Sequence, residues 1–597
     1  MKRRLVQFYE EFGDHGIMFI LYAFSVVVNS LLCWNMQLPA IYPDEISVAG
    51  TAAFYSGNGR WPLLGRGSDG GYVQALFYAP LYLVFNNPYA LYKVMLIINA
   101  LLISFIPVII YHLAAKLGVA RVRHKLMIAI SCGMYISYLA NSKYVWNETL
   151  TAVMCWLLVL CYFMAWDKRG KGSRFSSSVL LGVVSALAYA ANEKLIASVI
   201  ALVITIVAAR LFVREKIVNL PVFFSALVIS FIGEHFVREA ILSAIGQGFK
   251  VPREINSVGG SFFGILFSQI YLFMTSTLGI SALAIALAAV MLLSLIHEGT
   301  SRPVVENPES NTRVYEPIKH KYSRRLTMFA LFELLSVLLT AVQSALFDTP
   351  EGMDIFGKFT NNLAAPALFL VFVFVFLYGI DISKIALGIG IYIYACICFG
   401  IVGYPMLGRL EPFGTTFING LLPMDLSAYN AAEGMTYIIM SSCVFTMFAV
   451  MVVFVSCSRR HRTMLVTLTS FLVIAAGTIY LGVYRLPLEG IRNSEEIEPF
   501  CDVADLLYND PQSPPIIVYD TDPRLASTIQ FIARNVEVRL MENGEKAPES
   551  CLMIAENGVE IPFEGGSYDN VGKTDRFSVY AFGESAREFI RYSSSNY

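Results

Sequence analysis

"LPAIYPDEISVAG", residues 38–50, follows a long apolar run and places two adjacent carboxylates, Asp44 and Glu45, directly after it. The run itself, "GIMFILYAFSVVVNSLLCWNM" (16–36), is long enough to cross a hydrocarbon core of roughly 30 Å. It follows the basic start "MKRR" as a signal peptide's core would, but it exceeds such a core in length and no A-x-A site follows. The expectation is therefore a retained first span with an acid pair at its far edge.

Working outward, apolar blocks of this kind recur along the whole chain. Of 597 residues, 56% are hydrophobic and 15% charged, and the mean hydropathy is +0.59. A soluble chain carries nearer a quarter charged residues. The class is a mainly α, polytopic membrane protein with about thirteen transmembrane helices. The expected spans are 16–37, 89–112, 126–141, 148–166, 177–192, 194–213, 217–233, 263–296, 326–347, 363–380, 385–404, 434–456 and 463–482. A net charge of -1 says nothing about partners, because the positive charges are sorted by position rather than present in excess; no nucleic-acid partner is expected of this membrane class.

The positive charges are sorted by position. Lys2, Arg3 and Arg4 precede the first span, and further basic clusters follow in "KLGVARVRHK" (116–125), "DKRGKGSR" (167–174), "RLFVREK" (210–216), "KHKYSRR" (319–325), Lys384 and "SRRHR" (458–462). Every second loop is basic, so these face the cytoplasm. The N-terminus is then cytoplasmic, and 38–88, 233–262, 348–362, 405–433 and the tail from about 483 lie outside.

The tail changes composition. "SPPIIVYDTDPRLASTIQFIARNVEVRL" (513–540) predicts a strand, a helix and a second strand, and "CLMIAEN" (551–557) another strand. The expected organisation is a transmembrane domain over 1–482, with a polar cytoplasmic linker at 297–325, and a small extracytoplasmic α/β domain over 483–597. Within the linker, "SRPVVENPESNTR" (301–313) predicts a flexible stretch. Ten cysteines are scattered without zinc spacing. Cys396 and Cys398 fit a span interior, while Cys501 and Cys551 could pair outside the cell. No internal repeat or Gly-rich phosphate loop is present.

The first exterior loop is unusual. Residues 46–56 predict an amphipathic helix capped by Asp44 and lying on the membrane surface. Residues 72–86 are apolar but short for a span, which suits an interfacial segment too. Asp44 and Glu45 can be read as an ordinary cap and first-turn acid, or as groups that carry chemistry at the lipid–water boundary.

The layout resembles the GT-C glycosyltransferases, in the branch holding protein O-mannosyltransferases and lipid A aminoarabinose transferases. The sharpest shared feature is "PDE" (43–45) after the first span. "YVWNETLTAV" (144–153), "LLGVVSALAYAANEKLIA" (180–197) and "MDIFGKFTNNLAAPAL" (353–368) are similar to further patterns of bacterial members. Lys358 and Phe359 stand where Arg and Tyr are usual, so a bidentate fork is replaced by a point charge.

The resemblance implies a sugar donor on a polyprenyl phosphate and a hydroxyl acceptor on a cell-envelope glycan, glycolipid or protein, at the outer face of a bacterial plasma membrane. Asp44 would act as general base, with Glu45 assisting. By the family pattern Lys194 and Lys358 would face the donor phosphate; Arg238, Lys250 and Arg253 lie on a long exterior loop that could fold over the donor and bind its phosphate as well. Glu148, Glu193, Tyr42 and Phe359 would position donor or acceptor. No metal or cofactor is expected; "DTD" (520–522) sits at a strand end as a turn. A lipid transporter or flippase, a glycan polymerase or ligase, and a receptor remain alternatives, and Glu333 is the one clear acid inside a span.

Overall fold

The computed structural model describes residues 2–403 and 498–595. Residues 35, 37, 40–42, 59–60, 67–70, 168–169, 246–259, 278, 301–303, 307–312, 316–321 and 348–357 lie outside the description in the first part, as do 508–509, 522, 542–544, 546–547, 560 and 562–567 in the second. The expected spans 434–456 and 463–482 fall outside the described residues.

The chain opens with helix α1 (Lys2–Cys33), broken at Gly13. After it come α2 (Pro43–Tyr55), α3 (Tyr72–Val84), α4 (Pro88–Ile103), α5 (Phe105–Lys116), α6 (Val122–Gly133), α7 (Ile136–Asn141), α8 (Glu148–Asp167), α9 (Lys171–Ala191), α10 (Ile196–Ala208) and α11 (Leu220–Ile245). The series continues with α12 (Gly260–Thr275), α13 (Ile280–Thr300), α14 (Arg324–Phe347), α15 (Lys358–Tyr378) and α16 (Ile382–Cys398). Among the described residues, nine segments are long and apolar enough to cross a membrane, from Gly13–Cys33 to Ile382–Gly403.

Three expected boundaries are corrected. The block 263–296 is two helices. Thr277 Oγ1 caps α13 by accepting from the Ser281 amide at 2.9 Å, and Gly279 takes a φ of 77°, which ends α12. The block 126–141 likewise divides into α6 and α7. The expected span 217–233 is too short: the helix-forming "GEHFVREAILSAI" carries α11 on to Ile245. Within the expected linker, β1 (Val304–Glu306) pairs antiparallel with β2 (Arg313–Tyr315), as β-branched Val304, Val305 and Val314 favour.

Helix α9 packs between α8 and α11, while α14 meets α10, α12, α13 and α15. Large aromatics fill the joins, edge to face. Phe369 of α15 meets Trp156 of α8 and Phe329 of α14, each at 5.6 Å between ring centres. Described residues of three of the basic loops meet at one end of this bundle. Asp167 pairs with Lys116 and, at 2.7 Å, with Arg325. Asp14 takes Lys125 at 2.9 Å and the Tyr111 hydroxyl at 2.6 Å.

At the opposite end sits the tail. It contains α17 (Glu498–Asp505), β3 (Ile516–Tyr519), α18 (Pro523–Ile532), β4 (Val538–Met541), β5 (Cys551–Glu556), β6 (Tyr568–Lys573), β7 (Phe577–Phe582) and α19 (Gly583–Ser595). The sheet order is β4-β3-β5-β7-β6. β3 runs parallel to β4 and β5, with α18 as crossover, and β7 is antiparallel to β5 and β6. Cys501 and Cys551 are free thiols rather than a bridge. They belong to separate apolar clusters, Cys501 with α18 and Cys551 with Met553 and Phe582.

Candidate functional site

Helix α2 starts at Pro43, whose fixed φ and missing N–H suit a first helical position. Asp44 is therefore inside the first turn and not the cap. Nor does α2 lie exposed on a membrane surface: Glu45 to Ala53 are all buried. "ISVAGTAAF" offers small residues on every side and no charged face, so the helix is sandwiched between α3 and α18 of the tail. The Tyr82 hydroxyl of α3 donates to the Ala49 carbonyl at 2.9 Å and holds it there.

Glu45 is fully buried, with 0% exposure. Its Oε1 accepts from the Val145 amide at 2.6 Å. That bond ties the acid pair to the loop between α7 and α8, which ends at Glu148. Glu148 opens α8, where the positive end of the helix favours a carboxylate. It is 4% exposed, and its Oε2 accepts from Asn362 Nδ2 of α15 at 3.1 Å.

A third segment arrives from the turn after α9. Asn192 Oδ1 accepts from the Lys194 amide at 3.1 Å, shaping the Glu193–Leu195 turn, while Asn192 Nδ2 donates to Thr151 Oγ1 at 3.0 Å. Glu148, Thr151, Asn192, Lys194, Ser198 and Asn362 thereby line one narrow cavity, roomy enough for about one water. Glu148 and Lys194, far apart in sequence, share it as expected candidates. Asn192 and Asn362 are additions that local reading missed; their only signal was an uncharged amide within an apolar block, in "NEK" and "NNLAAP".

Arg238 is placed differently from the expectation. It sits inside α11 rather than on a loop, and it is not among the cavity's lining residues. Its Nη1 donates to the Tyr189 hydroxyl at 3.1 Å and its Nε lies 3.6 Å from Glu234 Oε1, which also accepts from the Tyr72 hydroxyl at 2.7 Å. Burial, then the Glu234 carboxylate, holds the Tyr72 phenol far above its ordinary value, so it stays a donor. Lys358 and Phe359 begin α15, one turn before Asn362, and Glu193 precedes Lys194 in its turn. Tyr42, Lys250, Arg253 and the side chains of Asp44, Lys358 and Phe359 lie outside the described residues. Among the described residues, no three His, Cys, Asp or Glu side chains gather as a metal site.

No protein-family model matches the chain, and no curated protein matches its sequence. Among solved structures, ArnT from Cupriavidus metallidurans in the apo state aligns with a TM-score of 0.51 and 11% identity, over 94% of this chain and 97% of that one. The same protein bound to undecaprenyl phosphate aligns with a TM-score of 0.49, at the same identity and coverage. At such identity the likeness is one of fold. The fold is the one seen in apo ArnT, polytopic and mainly helical with a small C-terminal sheet, as the layout implied.

Proposed function

We propose that this chain is an integral membrane glycosyltransferase that moves a sugar from a polyprenyl-phosphate donor to an acceptor hydroxyl at the outer face of a bacterial plasma membrane. Asp44 removes the acceptor proton as the acceptor oxygen bonds to the anomeric carbon. The bond from that carbon to the phosphate oxygen breaks in the same step, so the configuration inverts and the lipid phosphate departs with the electron pair. Glu45, tied to Val145, orients the turn that carries Asp44. Lys194 supplies fixed positive charge towards the leaving phosphate, with Lys358 one turn before Asn362 as a second source.

The observation that supports this reading most is the convergence of α2, the α7–α8 loop, the α9–α10 turn and α15 at the end of the bundle opposite the basic clusters. The GT-C fold shared with apo ArnT agrees with it. Purified protein incubated with a panel of polyprenyl-phosphate sugars and acceptor glycans should release free polyprenyl phosphate. Asp44→Asn should keep the fold and lose about 10²–10⁴-fold of that release; turnover equal to wild type refutes the assignment.

One observation favours a second reading. Glu333, 3% exposed inside α14, has no hydrogen-bond partner for either carboxylate oxygen among the described residues, and intramembrane acids often mark transport pathways. A lipid flippase would move labelled lipid across vesicles without releasing polyprenyl phosphate, so the same preparation separates the two.

A further inference from the structure

One of the residues that join the tail to the first exterior loop belongs to neither the cavity nor the acid pair. Arg534 follows α18 and is 8% exposed. Its Nη1 donates to the Phe85 carbonyl at 2.9 Å and its Nη2 to Asn86 Oδ1 at 3.1 Å. Phe85 is the residue that ends α3, so the guanidinium supplies a donor and a positive charge where a helix's carbonyl end is negative. The same group lies 5.9 Å from the Tyr82 ring centre, within reach of a cation–π contact. In the other direction, the Arg534 carbonyl accepts from Trp61 Nε1 at 2.9 Å.

Two partners of Arg534, Tyr82 and Trp61, also hold α2. Tyr82 donates to the Ala49 carbonyl. Trp61 and Leu64 press on Gly50 so closely that an added Cβ would sit 2.8 Å and 2.7 Å from them. Two independent lines therefore run from Arg534 to the helix whose first turn carries Asp44 and Glu45. Phe531 against Tyr92, at 6.2 Å, adds an apolar contact beside the same joint.

We infer that Arg534 is a positioning residue for the proposed reaction: through Trp61, Tyr82 and the end of α3, the tail sets the placement of α2 and of the carboxylates at its start. The inference rests on the glycosyltransferase reading, and it gives the tail a task within the site in addition to any contact with an acceptor. A planar fork suits it, because carbonyl and amide oxygens are met together by the two Nη atoms; a lysine ammonium offers a single point.

The test uses the full-length protein in its membrane-mimetic preparation. Arg534→Ala should raise hydrogen exchange of the α2 backbone amides at least about tenfold and lower kcat about 10²-fold, with the donor KM little changed. Added guanidinium chloride at a non-denaturing concentration should recover part of kcat, and ammonium chloride should not. Arg576→Ala, which removes an exposed pair with Glu556 elsewhere in the tail, serves as control and should leave both readouts at wild type. Unchanged exchange in α2, or unchanged kcat despite faster exchange, overturns the inference. So does recovery by ammonium as readily as by guanidinium. The outcome is separable from the chemistry itself. Full turnover in Asp44→Asn would sink the assigned base, while the exchange experiment would still judge the joint.

Discussion

Glu45 and Val145, a hundred positions apart in sequence, are joined by a 2.6 Å hydrogen bond from a backbone amide to a buried carboxylate. An acid with no exposure needs such a donor to be tolerated, and the amide needs an acceptor as much as the acid needs it.

Glu45→Gln keeps an oxygen for the Val145 amide, whereas Glu45→Ala leaves that amide buried without one. The alanine variant should lose about 1–3 kcal/mol of stability relative to the glutamine variant. Thermal unfolding in detergent measures the difference, and equal midpoints for the two variants would sink the claim.

Glu148 and Asn362 should behave as a coupled pair. Either single change, Glu148→Gln or Asn362→Leu, removes one side of a 3.1 Å contact that is charge-assisted. The double variant should then cost less than the two singles combined, with a coupling of about 0.5–3 kcal/mol in transfer rate or stability. Strict additivity would show that the two side chains act separately.

Gly71 begins α3 at a φ of 100°, and any side chain there would run into Val48 of α2. Gly71→Ala should destabilise by roughly 1–3 kcal/mol through backbone strain and overpacking together. Substituting Val48 by alanine in the same background should return part of the loss, which leaves only the backbone component. No recovery would mean that Val48 is not the obstacle.

Burial pushes the Cys501 and Cys551 thiols up to about 12. The nucleophile is the thiolate, which at pH 8 then amounts to about one part in ten thousand. Both should resist maleimide near neutrality and label faster as the pH rises, the direction expected when alkali creates the reactive form. Rapid labelling of either at about pH 7 in folded protein would contradict the buried placement.

The general architecture was readable from local patterns. Apolar runs mark helices because the bilayer tolerates little else, and described residues of three basic loops do meet, with Asp167 holding Lys116 and Arg325 at one end. The strand–helix–strand of the tail was equally local, its β-branched runs bounded by turn residues. Features set by distant partners were not readable. The division at Thr277–Gly279 depends on one cap and one positive φ within a continuous apolar block. Helix α2 reads as a surface helix from its own segment because the tail helix that covers it, Pro523–Ile532, lies far further on in the sequence. Asn192 and Asn362 carry no motif, because what makes them relevant is the pairing with Thr151 and Glu148. The placement of Arg238 beside Tyr189 and Glu234 likewise follows from two neighbouring helices, not from its own segment.

The bond between Trp61 and Arg534 spans 473 positions, and this has a biosynthetic consequence. At ordinary translation speeds, roughly 5–20 residues per second, the first hairpin waits roughly 25–95 s for its mate to leave the ribosome. During that interval the membrane portion can insert helix by helix while the corner that α18 covers stays unfinished. On the proposed reading, a nascent chain arrested before α18 would be threaded through the bilayer yet catalytically silent, and the stretch from α18 onward would act as the step that arms it.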